Sequence, residues 1–365
     1  MTSPRFAKPC IDCHVHLRGF PEAAALDAYR RRLGIEAVCI QSLPGNKTVN
    51  GNPGALAAKA AYPGAFYVFG ALDHSAHFSG GRVQAPGLAA QVDRLRELGA
   101  DGVKMLENKP TTRKFLDIPV DSDYFEPLFA RLEETAFPVL WHVADPETFW
   151  DASQLPAWAR EKGWGYDATH VAKEQLYTEV GRVLKRHPRL RIIFAHFYFL
   201  SADLPRAARL LDAYEGVHLD LAPGIELLYN LSRDTAAARA FFTRYADRIL
   251  FGTDVDSTLT AREADLRCGL VKRWLETGET YRIPDGADML LGPPEDGEIK
   301  GLALSEAVRD KICRGNFARL AGARPAPVKR DALAAECERI AAAAEVLAGP
   351  AGAAPAREAL KALAC

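Results

Sequence analysis

The sequence predicts an α/β protein built as a (β/α)8 TIM barrel. Three observations carry this: eight short apolar runs recur along 365 residues, helix-like segments separate them, and no glycine-rich phosphate loop follows the first run. The runs cover 11–17, 37–43, 66–72, 102–106, 138–143, 191–196, 217–221 and 249–253. Each is nearly continuous in apolar residues, as expected of parallel strands covered on both faces. Between them, 88–98, 125–135, 176–186, 204–214 and 235–245 show helical periodicity and helix-forming composition. An open doubly wound sheet alternates strands and helices too. It ordinarily has fewer strands, however, and neither G-x-G-x-x-G nor a Walker A sequence follows 11–17.

Composition limits the partners. With 48% hydrophobic and 25% charged residues and a net charge of −1, the chain has the makings of a sizeable core and no global attraction to nucleic acid or anionic membrane. No run approaches the roughly 18 apolar residues of a membrane span, and residues 1–8 lack the apolar core of a secretory signal. The expectation is a cytoplasmic protein acting on a small molecule. Seven cysteines, an odd number spread through a long chain, point to free thiols. The barrel is assigned to 1–329, with long loops at 145–173 and 257–300. The first contains Trp150, Trp158 and Trp164 and the second Gly-Pro-Pro at 292–294. Both leave strand C-termini, where such barrels place their sites, and read as lids or substrate walls. The alanine-rich tail, 330–365, reads as a helical extension broken around 349–355 that serves packing or homo-oligomer formation.

The chemistry begins at Asp12-Cys13-His14-Val15-His16, because histidines two residues apart on an extended strand project from one face. His142, His196 and Asp254 recur at the ends of the fifth, sixth and eighth runs, and Lys104 lies in the fourth. A barrel would bring them together. Imidazole and carboxylate suit Zn2+, with Mn2+ and Fe2+ also open, and an incomplete protein shell leaves a position for water whose pKa the metal lowers towards about 7.

These residues, with Pro138-Val-Leu-Trp-His-Val-Ala-Asp145, Ala195-His-Phe197, Ile249-Leu-Phe-Gly-Thr-Asp254 and Gly315-Asn-Phe317, resemble the amidohydrolase superfamily. The resemblance is to its "amidohydrolase 2" branch, which includes aminocarboxymuconate-semialdehyde decarboxylase, aromatic-acid decarboxylases, hydrolases and hydratases. It implies His14, His16, His142 and Asp254 around one divalent metal, with His196 as acid or base beside it. Two metals are implied if Lys104 is carbamylated; otherwise Lys104 anchors a substrate carboxylate. The resemblance also implies water oriented by His196, deprotonated by Asp254 and attacking a polarised carbon, after which Asp254 protonates the leaving group. The leading expectation is a metal-dependent hydrolase of an amide, ester or lactone. The alternatives are non-oxidative decarboxylation of an unsaturated or aromatic acid, and a catalytically silent scaffold.

Other polar residues carry plainer expectations. His187 and His218 fall at the opposite, stability end of the barrel, and His74, His77 and His170 read as loop residues in solvent. Cys10 and Cys13 form a C-x-x-C without a second pair, and an extended strand would aim Cys13 away from His14 and His16. Arg113, Glu226 and Tyr229 are candidates for substrate contact, each weighed against an ordinary surface role.

Overall fold

The structure, a computed structural model, describes residues 5–45, 49–224, 226–284 and 297–364. Nine strands form one parallel sheet: β1 Ile11–His16, β2 Ala37–Gln41, β3 Phe66–Ala71, β4 Gly102–Asn108, β5 Val139–Val143, β6 Ile192–Phe194, β7 Val217–Asp220, β8 Ile249–Leu250 and β9 Val255–Asp256. Their order is β8-β7-β6-β5-β4-β3-β2-β1-β9. The two edge strands are separated in the chain by residues 251–254 alone, so the sheet curls until its edges meet across that segment. Leu221 N donates to Leu250 O (3.0 Å) on one side, and Cys13 N to Phe251 O (2.9 Å) on the other. This is the α/β arrangement of a TIM barrel.

Strand residues alternate between two apolar environments, which is why the runs look continuous in sequence. Ile11, Cys13, Ala37, Cys39, Tyr67, Phe69, Leu140, Ile193 and Leu250 fill the interior with Phe317 and Leu320. Val38, Ile40, Phe66, Val68, Val103, Val139, Trp141, Ile192 and Phe194 face the surrounding helices. The sixth run is shorter than expected, ending at Phe194, because His196, Phe197 and Tyr198 take left-handed backbone angles (φ 55°, 57° and 57°). The eighth is shorter too, strand only over β8; irregular backbone follows to Asp254, where φ is 56°, and β9 lies beyond the run.

The expected loop at 257–300 contains a 16-residue helix, Ala261–Glu276, started by a reciprocal Thr260–Glu263 capping box. Its Gly-Pro-Pro at 292–294 lies outside the described residues. The loop at 145–173 holds a small core of its own, in which Phe149, Ala159 and Tyr166 pack with Trp150, Leu155, Trp158 and Trp164. The tail forms Arg330–Leu363, turned at Gly349 (φ 71°), with Ile340 and Ala344 against Ala353 and Ala356 and contacts to the helix Asn52–Ala61. Among the described residues the cysteines are free thiols, and no helix is long and apolar enough to cross a membrane.

Candidate metal centre

The pairing of β1 with β2 shifts register between Asp12 and Val15. That irregularity corrects one expectation: Cys13 is not aimed away but shares the interior side with His14, while Val15 turns out to the helices. Gly252 permits the close approach of the eighth strand here. A Cβ on it would lie 3.2 Å from His14 Cβ and 3.3 Å from Cys13 Sγ. Asp254 N donates to His14 O (2.8 Å), which brings its carboxylate over the same strand.

One ligand atom each from His14, His16 and Asp254 lie within 4.8 Å of one another. Asp254 Oδ1 is 3.1 Å from His16 Nε2 and 3.7 Å from His14 Nε2. The other ring nitrogens are committed. His16 Nδ1 meets Gln41 O (3.0 Å) and His196 Nδ1 meets Ala222 O (3.0 Å); a carbonyl can only accept, so both Nδ1 atoms carry the proton. His14 Nδ1 meets Asp220 Oδ2 (2.8 Å), and Asp220 Oδ1 accepts from His196 N (2.8 Å) and Ala222 N (3.1 Å). In the neutral rings every Nε2 therefore presents a lone pair, and two of these face an acidic oxygen. Acceptors turned on acceptors at 3.1 and 3.7 Å are repulsive unless a cation lies between them, so this donor set fits a divalent metal.

The group opens onto a cavity of about 710 Å3. His16, Lys104, His142, His196 and Asp254 line it, together with Arg18, Lys109, Lys162, Trp164, Asp256, Glu263 and Arg267. A family profile described as Amidohydrolase matches residues 11–322. The chain belongs to the amidohydrolase family. Solved structures share its fold. An uncharacterised TIM-barrel protein from Bordetella bronchiseptica is 17% identical, with 86% of this chain and 98% of that one covered and a TM-score of 0.51. A probable 2-pyrone-4,6-dicarboxylic acid hydrolase from Acinetobacter baumannii with citric acid bound is 12% identical (86% and 99% covered, TM-score 0.51). A 5-carboxyvanillate decarboxylase from Sphingomonas paucimobilis is 15% identical (86% and 98% covered, TM-score 0.50). No curated protein matches.

In this amidohydrolase, burial, helped by the charge of Lys104, lowers the His14 pKa well below the usual histidine range. Burial, with Lys109, does the same to His142. Both are therefore neutral at pH 7, the form a metal needs. Burial alone would raise the Asp254 carboxyl; positive charge at the facing imidazoles, His16 first, outweighs it and holds the carboxyl well below the ordinary carboxylate range, so acid and rings are stable together only with a cation, a proton or a metal ion, between them. Burial brings Lys104 down to about 8 against the pull of Asp220 and Asp254, and its Nζ lies 3.4 Å from His14 Nε2. Asp220, buried, is pushed up to about 6.

The remaining expected site residues divide. His142 and His196 reach the cavity with ring centroids 4.9 Å apart, and His196 lies 5.2 Å from His14. His142, though, stands outside the close group. Its Nε2 is taken by Asp145 Oδ1 (3.1 Å), itself held by Lys109 (2.8 Å) and the Tyr166 hydroxyl. Arg113 does not line the cavity, because its guanidinium is buried against Glu179 (3.4 Å). Glu226 and Tyr229 do not line it either. Tyr229 packs on the core, and burial pushes the Glu226 carboxyl up to about 7. His74 is not solvated but buried on Glu107 (2.9 Å).

Sequence reasoning assigned nothing to Asp220, Gln41, Asp145 or the side chain of Asp12. Asp12 accepts from Tyr29 OH (3.0 Å), Thr253 Oγ1 (2.6 Å) and Thr253 N (3.1 Å), tying β1 to the turn before Asp254. The available signal was an acid closing an apolar run, as Asp220 closes Val-His-Leu-Asp at 217–220.

Proposed function

We propose that the protein is a metal-dependent hydrolase of a small carboxylate-bearing molecule, cleaving an amide, ester or lactone bond. The observation that carries this is the convergence of His14 Nε2, His16 Nε2 and Asp254 Oδ1 beside a cavity rich in cationic side chains. His14, His16 and Asp254 would hold one divalent ion, Zn2+ first among the choices; His142, with its Nε2 on Asp145, would join as the fourth protein ligand only through Nδ1, and a second ion would require carbamylated Lys104. A bound ion supplies Lewis acidity, which activates water at neutral pH and polarises a carbonyl.

The chain's own residues supply the rest. Asp254, ionised at pH 7, takes a proton from the attacking water and returns it to the leaving group, a transfer worth about 10²- to 10⁴-fold. His196, with Nδ1 fixed on Ala222 O, turns its Nε2 lone pair to that water and orients it. Lys104 in its cationic form holds a substrate carboxylate at the cavity floor. Cations outnumber acids around it: Arg18, Lys104, Lys109, Lys162 and Arg267 against Asp254, Asp256 and Glu263. Both Lys109 and Lys162 lie over the Trp164 ring, 4.6 and 5.1 Å from its centroid. That indole wall with flanking cations favours a second reading, decarboxylation of an aromatic acid.

The two reactions differ in their use of water. Zn2+-supplied protein is offered aromatic and unsaturated carboxylates and their lactones in ¹⁸O-labelled water, with carbon dioxide measured in parallel. Hydrolysis gives labelled product and no carbon dioxide, and Asp254→Asn loses at least about 100-fold in rate. Carbon dioxide without label turns the assignment to decarboxylase, and near-normal turnover by Asp254→Asn removes its role.

A further inference from the structure

Arg267 is a fully buried arginine on the wall of the cavity. It is carried by the helix Ala261–Glu276, whose capping box starts it four residues after β9. Its Nη1 donates to Thr253 O (3.4 Å) and Asp254 O (3.2 Å), and lies 3.8 Å from Asp254 Oδ2. The two carboxylate oxygens of Asp254 are thus divided. Oδ1 faces His14 and His16, and Oδ2 faces the guanidinium. Asp254 also has a left-handed backbone, a conformation that persists only where surrounding groups impose it. Its N–H is held by His14 O and its carbonyl by Arg267, so both sides of the residue are fixed.

We infer that Arg267 is a positioning residue that sets the rotamer and backbone of Asp254, so that a single oxygen is presented to the metal-binding histidines. The inference rests on Asp254 being a metal ligand. All three contacts come from Nη1, which the rigid, fully buried guanidinium holds in one place, whereas a lysine ammonium on a flexible stem would make them less firmly.

The test is a calorimetric Zn2+ titration of chelator-stripped protein, comparing wild type with Arg267→Met, Arg267→Lys, Asp254→Ala and the double variant Asp254→Ala/Arg267→Met. Wild type is expected to bind Zn2+. Arg267→Met weakens that binding by about 10- to 100-fold, the usual cost of losing a group that orients a ligand, and Arg267→Lys falls between. In the Asp254→Ala background the same Met substitution costs nothing further, since its effect runs through Asp254. Wild-type affinity in both Arg267 variants overturns the inference, as does an undiminished loss in the Asp254→Ala background, which marks a merely structural role. Should Arg267→Met fail to fold, Arg267→Lys against Asp254→Ala/Arg267→Lys decides by the same criteria. Absence of Zn2+ binding by wild type overturns the metal reading itself, an outcome distinct from unchanged affinity in the variants.

Discussion

The two ends of the barrel follow opposite rules. At the C-terminal ends of the strands the backbone is strained: Ala144, His196, Phe197, Tyr198, Phe199 and Asp254 all have positive φ, and none is glycine. Buried charge gathers there too, in Lys104, Asp145 and Asp220 around His14 and His142. The N-terminal end is closed chiefly by aromatic packing, beside one buried ion pair, Lys59–Asp101, at the start of β4. Phe317 sits edge-on to Tyr67 (5.0 Å between centroids) and stacked on Phe69 (6.0 Å), and Asn316 donates to the carbonyls of Ala246 and Ile249 (2.7 Å each). Both ends contain a buried histidine. His14 is turned to a cluster of ligand atoms, whereas His218 meets backbone groups, Gly216 O at 3.1 Å and the backbone of Ile192. The difference teaches that aromatic packing closes one end while left-handed backbone and ligand-type side chains gather at the other, as expected of a fold that places its site at the C-terminal face.

The sharpest way to break this comparison is to unplug the sealed end. Phe317→Ala removes a ring that is 1% exposed and is expected to cost about 3–5 kcal/mol in denaturant unfolding. Zn2+ uptake by the folded fraction should stay as in wild type. Loss of metal in step with stability would mean that the ends are not independent.

A smaller effect comes from His218. Burial, then repulsion from Arg248, pushes its pKa down to about 3 from the ordinary 6.5. The folded state keeps it neutral while the unfolded state protonates near 6.5. Its contribution is therefore fully present above that pH and lost as pH falls from 6.5 towards 3. Between pH 7 and pH 5 wild type should lose about 2 kcal/mol more stability than His218→Gln, measured by urea unfolding at both pH values. Equal losses would show that His218 is not held neutral by burial in the folded state.

Much of the fold was legible because parallel strands are apolar on both faces, and the runs at 37–43, 66–72 and 138–143 map closely onto β2, β3 and β5. The ends of the sixth and eighth runs were not legible. Left-handed residues stop a strand without changing its composition, as His196, Phe197 and Tyr198 do after β6 with no glycine to announce it. His14, His16 and Asp254 could be named from their places at strand ends. Asp220 closes its run in the same way, but its bond to His14 spans 206 positions, so its place marks it as an acid at a strand end and does not name its partner. The same long-range pairing hid the fate of Arg113, neutralised by Glu179 from 66 positions away, and of Arg267, which looks in sequence like any helix arginine.

The central claim is that His14, His16 and Asp254 hold a divalent metal. Anomalous diffraction at the zinc absorption edge, from crystals of protein prepared without chelator and supplied with Zn2+, tests it most directly. The account predicts a peak bonded to His14 Nε2, His16 Nε2 and an Asp254 carboxylate oxygen, at about 2.0–2.2 Å from each. No peak there, or zinc held elsewhere while these three side chains keep their present contacts, would contradict it and return the protein to the reading of a silent barrel.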